Sequence, residues 1–334
     1  MKKRILEILI VGVAIGSAVG IVVNEVNSPA KIGDSQEKLF SVRRGEGAFE
    51  IAANLEKEKL VKNQLFFDAA VIFLNSVKHL QAGDYYLSSE MTPLGIAKKL
   101  IRGDVVKQTV TIPEGWNLKE IDSYLNVRGL FKRQQFLTAA SRDYSAEFGF
   151  LKDKPARAGL EGYLFPDTYE LENGGTAEDL IANMLKNLGD KLTPELRTEI
   201  EKQKKTIFEI ITMASLIEEE VKTLEEKKLV SGILWKRLRV GMRLQVDATI
   251  IYALGTKPDR VTYEQTKIDS PYNTYRYAGL PPGPIANPGL DSIVAAIYPT
   301  DSLYWYYLST PAGQTLFSRT LEEHNIKKVK YLNL

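Results

Sequence analysis

Three successive carboxylates, Glu218, Glu219 and Glu220, close an apolar run that starts at Ile207. A carboxyl can act as a general acid near neutral pH when burial raises its pKa. The run predicts a helix from Ile207 to about Leu224, with Thr206 and Glu209 in capping-box spacing. At about 100° per residue, Ile207, Ile210, Ile211, Met213, Ala214, Ile217, Val221 and Leu224 form one face. Glu219 points away from that face, and Glu218 and Glu220 lie on its two flanks. Glu218 stacks over Ala214 and Ile211 and faces Val221, so its carboxyl has the most apolar surroundings of the three. The plainer alternative is a solvated helix edge with Lys222 and Lys227 as partners, and the pattern alone favours it. A second candidate is the loop Ser270–Ile285, dense in Pro, Gly and Tyr and carrying Asn273, Thr274 and Tyr275. Restrained backbone, directional hydrogen bonds and flat aromatic faces suit a sugar. A rigid surface turn with inward-packed tyrosines fits the same residues equally well.

Composition narrows the chemistry further. The 334 residues include no cysteine, and the only histidines are His79 and His324. Thiolate nucleophiles, disulfides, iron–sulfur clusters and Cys-ligated zinc are excluded, and little imidazole chemistry is left. His324 reads as a surface residue. Lys and Arg number 44 against 42 Asp and Glu, a net charge of +2 with the signs interspersed, so no basic stripe addresses nucleic acid. There is no dinucleotide-binding glycine motif, P-loop, H-E-x-x-H or nucleophile elbow. The single S-x-x-K match, Ser35 to Lys38, falls in a polar segment with no folded support. Catalysis therefore rests on carboxylates, hydroxyls, Lys or Tyr, and no metal or organic cofactor is expected.

The elements that must position these groups are legible in outline. Met1-Lys2-Lys3-Arg4 precedes Ile5–Val23, whose only charge is Glu7, placed near the headgroups. As a helix that segment is about 28 Å long, enough to cross a bilayer. The leading cations place residues 1–4 in the cytoplasm and the rest of the chain outside. A cleaved signal peptide is the competing reading, and the length of the apolar run favours a retained anchor at 5–23. Residues 24–38 are polar and aperiodic, a tether. Residues 39–104 read as a β-α-α-β unit with a further helix: strands at Leu39–Val42 and Gly83–Leu87, helices at Ala48–Lys59, Gln64–Leu74 and Pro93–Ile101. Thr92, Pro93 and Gly103 mark the ends of the last helix. Residues 105–334 carry a strand at Val105–Ile112, several helices, the irregular Ser270–Gly289 stretch and a hairpin around Pro311-Ala312-Gly313.

Several long motifs, in order, make the sequence resemble the MltG (YceG-like) family of membrane-anchored endolytic murein transglycosylases over nearly the whole chain. They are Ala214-Ser215-Leu216-Ile217-Glu218-Glu219-Glu220, Arg237 to Thr249, Tyr272-Asn273-Thr274-Tyr275, Gly279 to Ile285, Glu161 to Tyr169 and Pro113-Glu114-Gly115. The chain has Glu219 and Val221 where the family often has Lys and Thr. The resemblance implies an α+β protein: a single N-terminal transmembrane helix, a small LysM-like β-α-α-β module, and a larger mixed α/β catalytic domain. It also implies Glu218 as the catalytic residue, reversing the reading from pattern alone. Gln245, Asp247 and Asn273 are then cleft positions, with Glu161, Thr274, Tyr275 and Pro282 as further substrate-binding residues. The implied reaction breaks the MurNAc–GlcNAc β-1,4 bond of nascent glycan strands with one carboxylate, acid first and base second. It leaves a 1,6-anhydro end and terminates strand elongation. A muramidase would need a second carboxylate, which Asp247 or Glu161 could be. Glu220 is unsuited, since helix residues i and i+2 point about 200° apart. A non-catalytic peptidoglycan-binding regulator of cell-wall synthases is the other alternative. Expected partners are glycan strands, the cell membrane, penicillin-binding proteins and other cell-wall synthesis proteins.

Overall fold

A computed structural model describes residues 2–155, 158–172, 174–258 and 260–332, without the side chains of residues 2, 3 and 5–8. The expected placements of Met1 and of the Glu7 carboxylate therefore lie outside the described residues. The chain is a mixed α/β protein of two compact units, Met1–Thr109 with Glu170–Gly175, and Val110–Tyr169 with Thr176–Leu334.

In the first unit, α1 (Lys2–Val26) holds one stretch, Leu9–Val26, long and apolar enough to cross a membrane. Its apolar side chains face outward, with Leu9 60% and Ile21 61% exposed. Residues 24–26, expected in the tether, are the last of this helix, and Val26 is buried in the core of the unit. Farther on, Lys31 N–H donates to the Ser89 carbonyl at 3.0 Å and Gly33 N–H to Glu90 Oε1 at 2.9 Å. This stretch is thus bonded to the unit it follows.

Strand β1 (Lys38–Val42) pairs antiparallel with β2 (Gly83–Leu87), from Lys38↔Leu87 to Val42↔Gly83. Between them run α2 (Ala48–Lys57) and α3 (Gln64–Phe73), and α4 (Pro93–Arg102) follows. The predicted signals act as expected at α4: the Thr92 side chain accepts from Gly95 N–H, and Gly103 ends the helix in the left-handed region at φ 69°. Ile51, Leu55, Phe67, Tyr85, Leu87, Ile96 and Leu100 fill the core. The division between the units falls within β3 (Lys107–Thr111) and β4 (Thr168–Glu172), which pair with each other.

The second unit is built around helices. After α5 (Leu118–Val127), α6 (Gln135–Ala140), α7 (Ala177–Lys191) and α8 (Pro194–Lys202) comes α9 (Ile207–Glu218). Every residue of α9 from Ile210 to Ile217 is buried, so this is a central helix and not an amphipathic surface one. The predicted helix to Leu224 is corrected here. It stops at Glu218, a turn follows, and α10 (Leu224–Arg239) starts afresh with Thr223 as its N-cap. α10 packs on both α9 and α12 (Leu290–Ile297). Its Gly232 meets the main chain at Thr300, where a Cβ would lie 2.0 Å from the carbonyl oxygen.

α11 (Asp247–Leu254) precedes the irregular stretch, and a hairpin of β5 (Tyr306–Ser309) and β6 (Thr315–Ser318) follows α12. The closing helix α13 (Leu321–Leu332) had no counterpart in the sequence reading. It carries His324, which is half-buried and not at the surface as expected, its ring stacked on Tyr306 at 5.3 Å. Burial, then the charges of Lys328, Arg237 and Lys327, lower its pKa to about 4.

Candidate functional site

The three acids at the end of α9 go to three different places. Thr206 and Glu209 close a capping box at its start, and Asp153 Oδ2 accepts from Ile207 N–H at 2.7 Å. The far end is therefore set by a helix fixed at its origin. Because α10 folds back on α9, Lys227 in its first turn reaches Glu218: Nζ to Oε1 is 3.1 Å, with the two side chains only 4% and 9% exposed. On the other side, the main-chain N–H of Gly289, the N-cap of α12, donates to Glu218 Oε2 at 2.9 Å. Each carboxylate oxygen thus faces a donor. A solvated helix edge does not describe Glu218. Lys227, expected as a partner on a solvated edge, is its partner as a buried counter-charge.

Glu219 caps α9 and turns into a cleft of about 390 Å³ whose wall includes Glu114, Gly115, Trp116, Glu120, Tyr252 and Lys257. Though Glu219 is exposed to the cleft, desolvation by this wall is the main cause pushing its pKa up, with Lys257 opposing and Glu120 and Glu218 assisting. Glu114 is raised as well, by burial first and the Glu218 charge second. Buried Asn287 ties the Pro113–Trp116 loop to the start of α12. Its N–H and Nδ2 both donate to the Trp116 carbonyl, at 3.0 and 2.8 Å, and its carbonyl accepts from Gly115 N–H at 2.9 Å. Its Oδ1 accepts from Leu164 N–H at 2.9 Å. Gly115 has φ +80°, and a Cβ there would lie 2.7 Å from Glu219 Oε1, so glycine lets loop and turn approach. Glu114, Asn287 and Gly289 all escaped the sequence reading as site residues, although Pro113-Glu114-Gly115 was visible as a motif.

A second cavity, of about 420 Å³, lies under Glu161, Tyr272, Pro282 and Pro284, and Tyr252 borders both. Leu118 N–H donates to Glu161 Oε1 at 3.0 Å and the Tyr252 hydroxyl to Oε2 at 3.2 Å. Burial outweighs those bonds and carries the Glu161 pKa up to about 8. The rings of Tyr252 and Tyr272 meet at 4.9 Å between centroids. Pro282 is exposed at the rim.

Glu220 turns the other way. The Tyr307 hydroxyl is its hydrogen-bond partner, Asp247 and Arg237 are near, and burial followed by the Asp247 charge lifts its pKa to about 8. Asp247 Oδ1 accepts from the Tyr275 hydroxyl at 2.5 Å. Asn273 is fully buried. Its Nδ2 donates to the carbonyls of Thr266 and Ile268 at 2.9 and 2.7 Å, and its Oδ1 accepts from Tyr275 N–H at 2.9 Å. Thr274 Oγ1 accepts from Val246 N–H at 3.0 Å and meets Thr249 Oγ1 at 3.0 Å. The polar atoms of Asn273 and Thr274 are thus engaged in holding the loop, and neither residue borders the two cavities. Gln245 is exposed in the left-handed region at φ 56°, its N–H donating to the Thr274 carbonyl.

The raised acids give a pH dependence. Glu161 and Glu220 hold a proton to about pH 8 when folded, against an ordinary value of 4.5. Between those values the folded chain binds more protons than the unfolded one. The stability this contributes is present below about 4.5 and drains as pH rises through about 8. The Tm is expected to fall between about pH 6 and about pH 9, and the fall to flatten in a Glu161→Gln, Glu220→Gln double variant. A Tm that rises over that interval in the unsubstituted protein would contradict the assignment.

Comparison with known proteins places these features. The profile of the YceG-like family matches residues 40–330. A protein of Bacillus subtilis (strain 168) named endolytic murein transglycosylase is 34% identical over 308 residues, 88% of this chain and 84% of the relative. One of the same name from Streptococcus pneumoniae serotype 2 (strain D39 / NCTC 7466) is 33% identical over 331 residues, 90% of this chain but 60% of the relative. The 2.6 Å crystal structure of a YceG-like protein from Listeria monocytogenes superposes with TM-score 0.60 at 34% identity, covering 87% of this chain and 99% of that one.

Proposed function

The chain belongs to the YceG-like family, and on that basis we propose that it is a peptidoglycan lytic transglycosylase that cuts nascent glycan strands internally and so ends their elongation. The observation that carries this reading is the nearly buried Glu218, held between Lys227 and Gly289 next to Glu219, which lines the cleft. In the proposed reaction the Glu218 carboxyl protonates the oxygen of the MurNAc–GlcNAc β-1,4 bond. It then takes the proton of the muramic acid 6-hydroxyl as that oxygen attacks C1, giving a 1,6-anhydro end. Glu161 and Pro282, in the second cavity, and the exposed Gln245 would contact the strand. Asp247 and Tyr275 would do so as a hydrogen-bonded pair, while Asn273 and Thr274 would shape the loop that presents Tyr275. Helix α1 anchors the enzyme in the cell membrane, with Lys2, Lys3 and Arg4 on the cytoplasmic side. The β1-α2-α3-β2 unit serves as a LysM-like module, and penicillin-binding proteins are the expected company.

One observation favours a second reading. The carboxyls of Glu114 and Glu218 both reach Gly289, and a muramidase needs a second carboxyl near the first. Mass spectrometry of fragments from uncrosslinked glycan strands decides between the two. Anhydro ends support the transglycosylase. Reducing ends heavier by one water, about 18 Da, would replace it with the hydrolase.

A further inference from the structure

We propose that helix α3 lies against the lipid surface, its outer apolar face seated among the headgroups beside the point where α1 leaves the bilayer. The proposal rests on the reading of α1 as a membrane anchor and adds a second lipid contact to it.

The composition of α3 is the first argument. Gln64–Phe73 is apolar on nearly every side, with Asp68 as its only charge. A helix of that kind belongs in a protein core or in lipid. One side of α3 meets the first condition: Phe67, Ala70 and Val71 are buried in the unit, and α2 and α4 pack on the helix. The opposite side faces outward. Leu65, Ile72 and Phe73 are 64%, 61% and 80% exposed. At about 100° per residue, Leu65 and Ile72 share one stripe and Phe73 lies beside it.

Height relative to the bilayer is the second. The apolar span Leu9–Val26 has 18 residues, about 27 Å as a helix, against about 30 Å of hydrocarbon. The bilayer therefore reaches to the end of α1, where Val26 is already buried in the core of the unit. Lipid and folded unit meet there directly. Lys62 stands just before α3, and its Nζ meets Glu25 Oε2 at 2.8 Å. This ion pair sets the start of α3 at the level of the headgroups, and Leu65 follows within one turn.

The joint is also held on its far side. Lys31 N–H donates to the Ser89 carbonyl and Gly33 N–H to Glu90, so the chain leaving α1 is bonded to the same unit. The unit cannot swing off the bilayer on a free linker. α1 itself packs on α3 and α4. The outward apolar surface of α1 thus continues into that of α3, and this continuity selects lipid over a protein partner as the occupant.

The test uses the absence of cysteine from the chain, which lets a nitroxide label be placed at single substituted positions. Leu65→Cys, Phe73→Cys, Ile15→Cys and Ser41→Cys, each in the whole chain, are put into nanodiscs of phosphatidylethanolamine and phosphatidylglycerol. Collision with oxygen, which concentrates in lipid, and with an aqueous nickel chelate reports the depth of each label. Ile15 lies within the apolar span of α1. Ser41 is exposed on β1 and faces away from the helices, because its neighbours Phe40 and Val42 point into the core. Labels at 65 and 73 are expected about 5 to 10 Å inside the lipid boundary, the label at 15 deeper, and the label at 41 in water. Suppose the label at 15 reads as deep. A label at 65 or 73 open to the chelate then overturns the proposal, and so does one shielded from both reagents, as beneath a second copy or another protein. Chelate access at residue 15 would instead overturn the anchor reading beneath it.

Discussion

Glu218→Gln is expected to reduce cleavage of glycan strands by about 1000-fold or more, the scale of losing a positioned proton-transfer group. The substitution keeps the shape of the side chain, but its amide oxygen can accept from only one of Lys227 and Gly289, and its NH2 faces the other donor. It also leaves the Lys227 ammonium, 4% exposed, without its counter-charge. Removing one partner of a buried pair costs about 3 to 5 kcal/mol, and a retained hydrogen bond offsets part of that. Rate and stability must therefore be measured on the same preparation, with chemical denaturation fixing a temperature at which the variant is folded. Strand cleavage within threefold of the unsubstituted enzyme, for folded protein, would remove Glu218 from the reaction and favour the regulator reading.

What the sequence disclosed about this site depended on how local the information was. Strands β1 and β2 and helix α4 follow from alternation, Thr92, Pro93 and Gly103, all within a few residues of the features they set. The break after Glu218 was hidden because Val221 and Leu224 continue the apolar period and no Gly or Pro interrupts it. A signal did exist: Thr223 with Glu226 has the spacing of a new helix start, and the Thr223 side chain accepts from Glu226 N–H. Thr320 with Glu323 marked α13 in the same way, Glu323 N–H donating to Thr320 Oγ1 at 3.1 Å. In the turn that follows the break, Glu220 has the Tyr307 hydroxyl as partner with Asp247 and Arg237 near.

Other parts of the site had no local signal. Gly289 is 71 residues from Glu218, and Leu164 is 123 from Asn287, so their bonds are set by the packing of α9, α12 and the loops between them. Asn273 shows the opposite case. Its type suggested a ligand for sugar hydroxyls, but complete burial and three hydrogen bonds commit it to loop geometry. The amide that reads as a binder from composition is, in the fold, a brace for Tyr275.

Lys227→Met is expected to be the most destabilising single change at the site, because it leaves the Glu218 carboxylate, 9% exposed, with the Gly289 N–H but no ammonium. A buried charge stripped of its partner costs about 3 to 5 kcal/mol. The carboxylate can relieve that cost by taking up a proton, so the deficit should be smaller at acid pH and grow as pH rises. Denaturant unfolding at about pH 5 and about pH 8 checks both the size and the slope. Activity should fall as well, since Lys227 no longer fixes the position of the Glu218 carboxyl. A Lys227→Met, Glu218→Leu double variant separates the two roles of the pair. Well-packed apolar replacements of buried ion pairs are commonly neutral or stabilising, so the double variant should recover most of the lost stability while remaining inactive. If instead Lys227→Met alone is as stable as the unsubstituted protein at about pH 8, the ammonium is not compensating a buried charge. The arrangement around Glu218 would then need a different physical account. With the expected result, the pair is a charge arrangement that the fold tolerates because the reaction requires a carboxylate there.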